Sequence, residues 1–214
     1  MSLRFLSLLA EPIHSAYREL CLQLSRNGFP VEFVEYDDWR EAKGLIEEGR
    51  VELGAVCGLL YTQLRTLGVN VHPVVAPILD HPRYQGKPIY FTDIAVRPDC
   101  EFTTLNELTA GHWLFNETGS FSGYHSLLAE IHHRGISPEF AQMSETGGHS
   151  TSYQRLKNGE GDFTALDSTV VDYLPLEARE SIKVIMSLGP YPAPLVVGFS
   201  GSEGFLEAMQ ALPD

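Results

Sequence analysis

Residues 118–124 read Thr-Gly-Ser-Phe-Ser-Gly-Tyr. Hydroxyl side chains alternate with glycines, after an apolar stretch and before an apolar run at helical spacing. This composition suits an anion. Glycine lets the backbone approach a ligand closely, Thr118, Ser120 and Ser122 add donors, and a helix start offers free N–H groups and the positive end of its dipole. Residues 146–152, Thr-Gly-Gly-His-Ser-Thr-Ser, repeat the pattern one strand later and bring His149 and Ser150 to a helix start. Residues 165–169, Ala-Leu-Asp-Ser-Thr, set Asp167 at a third strand-to-helix junction.

Taken singly, Ser122, Ser150 and Asp167 read as helix caps, since these residue types are preferred there. His149 alone reads as a partly exposed histidine at a helix start. Two donor-rich junctions on adjacent strands shift the reading toward an anion pocket. Tyr61, Tyr84, Tyr90 and Tyr124 read as core or surface aromatics. His125, His132 and His133 share a helix without the i,i+4 spacing of helical zinc ligands, so no metal is expected.

Ser122, His149 and Asp167 are also the residue types of a hydrolase triad. A nucleophile elbow has the form G-x-S-x-G, whereas residues 119–123 read GSFSG, with Phe121 at the centre. The chain order Ser-His-Asp is also not that of α/β-hydrolases. There is no Walker A segment and no GxGxxG after the first strand, so no nucleotide cofactor is expected.

The 214 residues suffice for one large or two small domains, and 43% hydrophobic with 20% charged residues is a globular composition. A net charge of −13 argues against nucleic acid and anionic lipid as partners. Three cysteines, Cys21, Cys57 and Cys100, without a CxxC suggest neither a disulfide framework nor a zinc site. Cys57 reads as a buried thiol. No apolar run is long enough to span a membrane. The N-terminal apolar run is short and ends at Glu11 and Pro12, so it reads as a first strand rather than a secretion signal.

The donor segments need a scaffold, and the periodicity supplies one. Strands are expected at 4–10, 31–36, 51–57 and 71–79, with helices at 15–26, 39–48 and 59–67 between them. In the first helix, Leu20, Leu22 and Leu24 are placed near the buried side. Residues 80–87 form a polar turn and 88–97 a long strand. Strands at 112–117, 139–143, 162–167 and 183–188 then alternate with helices at 105–108, 122–134, 149–158 and 168–174. The segment Gly-Pro-Tyr-Pro-Ala-Pro breaks the chain before a strand at 195–200 and a helix at 203–212. This alternation predicts α/β architecture with mostly parallel sheets. Its restart after the long strand, and the return near the end, predict two lobes with a ligand cleft between them: residues 1–90 plus 190–214, and 91–189.

Over about residues 50–200 the chain resembles the PhnD-like substrate-binding proteins of phosphate, phosphonate and phosphite ABC transporters. The segments that carry the resemblance are GRVELGAVCGLLY (49–61), GKPIYFTDIAVRPD (86–99), TLNELTAGHWLFNETGSFSGYHSLLAEI (104–131), GGHSTSYQRLKNGEGDFTALDSTVVDYL (147–174) and IMSLGPYPAPLVVG (185–198). The resemblance implies a type 2 periplasmic-binding fold and a non-catalytic protein that closes on a small oxyanion without a cofactor. It implies anion contacts from Ser120, Ser122, Gly123, Tyr124, His149 and Ser150. Asp167 would accept from an amine or a protonated ligand oxygen, and Tyr61 and Tyr90 would face the ligand. Phe121 stands where the family commonly has a small hydroxyl residue. The implied partner is an ABC permease, and the implied compartment is extracytoplasmic, or cytoplasmic if no leader precedes the chain. A small-molecule enzyme or a ligand-sensing module on the same fold are the alternatives.

Overall fold

The computed structural model describes residues 2–11 and 13–212. The expected stop at Pro12 lies outside the described residues. The chain forms two compact units. One takes the residues up to Asp80, Gly86–Pro88 and the chain from Pro192 onward; the other takes His81–Gln85 and Ile89–Tyr191.

The first unit is built on β1 (Leu3–Ser7), α1 (Ile13–Arg26), β2 (Val31–Phe33), α2 (Trp39–Glu47), β3 (Leu53–Val56), α3 (Gly58–Thr66) and β4 (His72–Val75). Strand β10 (Leu195–Gly198) and helix α9 (Phe205–Gln210) return to it from the end of the chain. Its sheet has the order β2-β1-β3-β10-β4. Strands β1, β2 and β3 run parallel, and β10 is antiparallel to both neighbours. Side chains alternate across the sheet. Leu6 packs with Ala42, Ile46, Leu60 and Leu64 on one face, and Phe5 packs with Tyr17, Cys21, Leu24 and Phe205 on the other. Leu22, expected inside, is 46% exposed, because the buried stripe of α1 runs through Tyr17, Cys21 and Leu24 at i, i+4 and i+7. Cys57, expected buried, is half-buried at the start of α3.

The second unit contains β5 (Ile89–Val96), α4 (Leu105–Leu108), β6 (His112–Phe115), a π-helical turn (Phe121–His125), α5 (Ser126–His133), β7 (Gln142–Glu145), α6 (His149–Lys157), β8 (Phe163–Asp167), α7 (Ser168–Asp172), α8 (Leu176–Arg179) and β9 (Lys183–Pro192). Its sheet has the order β7-β6-β8-β5-β9. Strands β7, β6 and β8 are parallel, and β5 is antiparallel to β8 with Thr92 opposite Asp167. Trp113, fully buried, anchors the core, stacked between Tyr124 (5.3 Å between centroids) and Phe163 (6.0 Å).

Three features depart from the periodicity. Strand β9 runs on through Gly189 and Pro190, where a break was expected; the Ala193 amide still reaches the Pro88 carbonyl at 2.9 Å. The helix expected from residue 122 opens instead with the π turn, whose mark is the His125 amide bonding the Ser120 carbonyl five residues back at 3.1 Å. A short α8 occupies residues read as loop.

A buried polar knot fixes the segment 81–85 to this unit. Arg83 makes a two-pronged pair with Asp93 (2.8 and 2.6 Å), which has no solvent exposure. It also reaches Ser187 at 2.9 Å and lies 4.5 Å from the Phe91 ring centroid. Tyr84 donates its one proton to Asp172 at 2.6 Å and accepts from the Ser168 hydroxyl at 3.0 Å, and Ser168 in turn accepts from the Phe91 amide.

Candidate functional site

Because β7, β6 and β8 are adjacent and parallel, their carboxyl ends form one edge, and the segments that follow them meet there. In α/β sheets this edge is where ligands sit. Strand β6 delivers Asn116 and the π turn, β7 delivers Gly147 and α6, and β8 delivers Asp167 and α7. The Gly147 amide bonds the Asn116 carbonyl at 2.8 Å, tying the first two segments together.

Ser120, rather than Ser122, caps the turn: its hydroxyl accepts from the Gly123 amide at 3.0 Å. Ser122 is buried and lies 3.2 Å from His149 Nε2. Gly123 has to be glycine, since a Cβ there would overlap the Asn116 side chain and come within 3.0 Å of His149 Cε1. Helix α6 is preceded by Gly148, with no side-chain cap, so Ser150 is not a cap but an exposed residue of the first turn.

His149, expected partly exposed, is 8% exposed. Its helix begins directly against the π turn and the end of β8, which close over the ring. Its Nδ1 lies 3.4 Å from the Asp167 amide nitrogen. The Ala165 carbonyl can also accept from the ring, and a neutral imidazole has one N–H: with the proton on Nε2 the ring donates to Ser122 Oγ, and with it on Nδ1 the serine donates to Nε2. Apart from His149, no described residue shares a hydrogen bond with Ser122 Oγ. Burial pushes His149 down to about 4, with the nearby Ala165 carbonyl pulling the other way. The ring is therefore neutral near pH 7.

Asp167 caps α7, its Oδ1 accepting from the Thr169 amide (2.9 Å) and hydroxyl (2.6 Å). No described residue bonds the second oxygen. Burial pushes this carboxyl up to about 6; the Thr169 bonds oppose that shift, while Asp93 and Asp172 add to it. A hydrolase triad needs the carboxylate on the imidazole. Here Asp167 offers His149 its backbone amide, and its carboxylate is turned to Thr169, so the arrangement lacks the oriented base.

The remaining expected residues lie in different settings. The Tyr124 ring is packed against Trp113 and Phe115 in the core, so only its backbone belongs to the turn. Tyr90 is buried near the start of β5, 6.5 Å from Phe121 and 6.1 Å from Tyr191 between ring centroids. Phe121 meets Tyr191 edge-on at 4.8 Å. The antiparallel pairing of β5 with β8 brings Tyr90 to the same edge as Asp167. Tyr61 sits in α3 of the first unit, partly buried against its core.

Two groups at this edge were not singled out in the sequence. Tyr191 joins the aromatic trio from within the proline-rich segment. Asn116 is 7% exposed, and its Oδ1 meets no hydrogen-bond partner. A polar group buried in that way carries a desolvation cost of about 1–3 kcal/mol. The signal available was its position, the first polar residue past an apolar strand that feeds a glycine-rich loop. Among the described residues no cluster of His, Cys, Asp or Glu is arranged to hold a metal ion, and no helix is long and apolar enough to cross a membrane.

A family model described as ABC transporter, phosphonate, periplasmic substrate-binding protein matches residues 9–212. No curated protein matches the sequence. Among solved structures, PhnD1 from Prochlorococcus marinus in complex with methylphosphonate has a TM-score of 0.79 at 15% identity, over 99% of this chain and 83% of that one. A binding-protein component of an ABC phosphonate transporter from Pseudomonas aeruginosa has a TM-score of 0.76 at 13% identity, over 98% and 72%. The periplasmic aliphatic sulphonate binding protein SsuA from Escherichia coli has a TM-score of 0.64 at 14% identity, over 99% and 70%. At these identities the likeness is one of fold, the periplasmic binding protein fold of type 2.

Proposed function

Since this chain belongs to the phosphonate-binding family of periplasmic substrate-binding proteins of ABC transporters, we propose that it holds a small tetrahedral oxyanion of the phosphonate type at the strand ends of its second unit, and does so without chemical conversion. The observation that carries the reading is the Ser122–His149–Asp167 arrangement. With the ring proton on Nε2, the neutral, buried imidazole donates to Ser122 Oγ and leaves the serine proton for a ligand oxygen. The Ser120–Tyr124 turn and the start of α6 add backbone donors of neutral charge. This set suits an anion that is already desolvated, where a hydrogen bond to a charged partner is strong.

Asp167 sets a condition on that anion. A carboxylate beside a fully ionised oxyanion is repelled, so the ligand has to bring a proton or an ammonium group to the free oxygen of Asp167. A monoprotonated phosphonate does this, and so does an aminoalkylphosphonate. Ser150, exposed at the start of α6, offers a further donor. The permease of an ABC system is the macromolecular partner in this reading.

Calorimetric titration with methylphosphonate, phosphate, phosphite, sulfate and 2-aminoethylphosphonate is the test. Heat of binding with one phosphorus oxyanion and none with sulfate supports the reading, because sulfate brings neither proton nor ammonium to Asp167. Absence of binding to all five removes it.

A further inference from the structure

We infer that Asn116 is itself a ligand-contacting donor, its side-chain amide taking a ligand oxygen beside the Ser122 hydroxyl; the inference rests on the oxyanion reading above. The observation behind it is a buried amide that the folded chain leaves unsatisfied. Asn116 is 7% exposed, its Oδ1 has no partner, and among the described residues neither end of its side chain makes a hydrogen bond. Polar groups so placed are rare in folded proteins and want a reason.

The orientation of the amide follows from its neighbours. Oδ1 rests on the Gly123 Cα, where a C–H is a weak donor and an NH2 group would find no acceptor. Of the two polar atoms only Oδ1 is fully enclosed, so the small remaining exposure includes Nδ2 and its two N–H donors. The backbone of Asn116 is held by the bond its carbonyl accepts from Gly147, which fixes the Cα from which the amide projects. Asn116 and His149 Cε1 converge on the same point of Gly123, which places the amide between the π turn and the start of α6. A donor there completes the neutral set: one amide, one hydroxyl and backbone N–H groups. An aspartate of the same shape would put a negative charge against the anion.

Titrations with methylphosphonate of the wild type, Asn116→Ala and Asn116→Asp test this, together with the melting temperature of each without ligand. Loss of one donor to a charged oxygen predicts Kd weaker by about tenfold to a hundredfold for Asn116→Ala. Asn116→Asp, nearly isosteric, should weaken binding further. The ligand-free melting temperature of Asn116→Ala should change little or rise, since an unsatisfied amide is removed. A lower melting temperature with unchanged Kd makes Asn116 a packing residue and overturns the inference. Should Asn116→Ala fail to fold, Asn116→Asp decides alone, and wild-type affinity in that variant overturns it. If Asn116 variants bind as wild type does, only this inference falls; if wild type binds no oxyanion at all, the functional reading falls and takes this with it.

Discussion

Ser122 and His149 lie 27 positions apart in sequence, yet the serine hydroxyl sits 3.2 Å from His149 Nε2 with both side chains buried. In the proposed site the ring proton is on Nε2 and the imidazole donates to the serine. Under this proposal His149 acts on a ligand through Ser122. A double-mutant cycle reads this out. Ser122→Ala should weaken methylphosphonate binding by about tenfold to a hundredfold. His149→Phe, which keeps the bulk of the ring, should weaken it less. The double variant should be no worse than Ser122→Ala alone, since the two residues contribute as one unit. Additive losses would mean that His149 contacts the ligand independently.

The two buried titratable groups pull stability in opposite directions with pH. His149 falls from an ordinary 6.5 to about 4 in the folded state. The unfolded chain therefore binds more protons between these values, and stability drops as pH falls from 6.5 toward 4, by roughly 3 kcal/mol if the whole shift is realised. Asp167 rises from 3.8 to about 6. The folded chain binds more protons there, so this group's contribution is lost as pH rises from 3.8 through 6. Between about 4 and 6 the two slopes largely cancel. Asp167→Asn should uncover the histidine term, with a melting temperature that falls steeply on acidification; His149→Phe should uncover the opposite slope. Parallel pH profiles for wild type and both variants would refute the assignment.

Gly123→Ala should destabilise the protein by about 1–3 kcal/mol, as overpacking does in a close-packed interior. The added methyl overlaps the Asn116 side chain. Asn116→Ala in the same chain should restore most of the loss, because it removes the atoms that the methyl strikes. Urea unfolding of the two single variants and the double variant measures the coupling.

Arg83→Ala leaves the unexposed Asp93 carboxylate with only the Ser187 hydroxyl as its side-chain partner among the described residues. Breaking a buried pair from one side costs about 3–5 kcal/mol. Arg83→Ala with Asp93→Ala should lose less than Arg83→Ala alone, since no buried charge is stranded. Chemical denaturation of both variants tests this.

The alternation of apolar runs made β1, β3, β5, β6 and β8 legible, because each is a mostly buried stretch with no exposed residue. The donor segments at 118–124 and 146–152 were legible as strand-to-helix junctions from their glycines and hydroxyls. What they do at those junctions was not. Ser120 and Ser122 are equally plausible caps by residue type, and only the i→i+5 bond of the π turn assigns the cap to one and the interior to the other. The burial of His149 depends on β8 and the π turn closing over it, a long-range fact that a helix-start pattern does not carry. Strand β9 was hidden by its prolines, which an edge strand tolerates; β9 lies at the edge of its sheet. Asn116 carried no motif, and its lack of a partner exists only in three dimensions.

The place of β10 in the first sheet bears on the order in which this chain can become a protein. That strand lies between β3 and β4, and it comes from residues 195–198. Until it has been synthesised, β4 has no neighbour in the sheet, and the first unit stays unfinished. The second unit needs only the chain from residue 81 to 191. On the ribosome the second unit can therefore be complete while the first, begun earlier, is still waiting for the strand that joins β3 to β4. A chain cut short by about twenty residues would lose β10 and α9 together, and the resulting defect would appear at residues 72–75, far away in sequence from the cut.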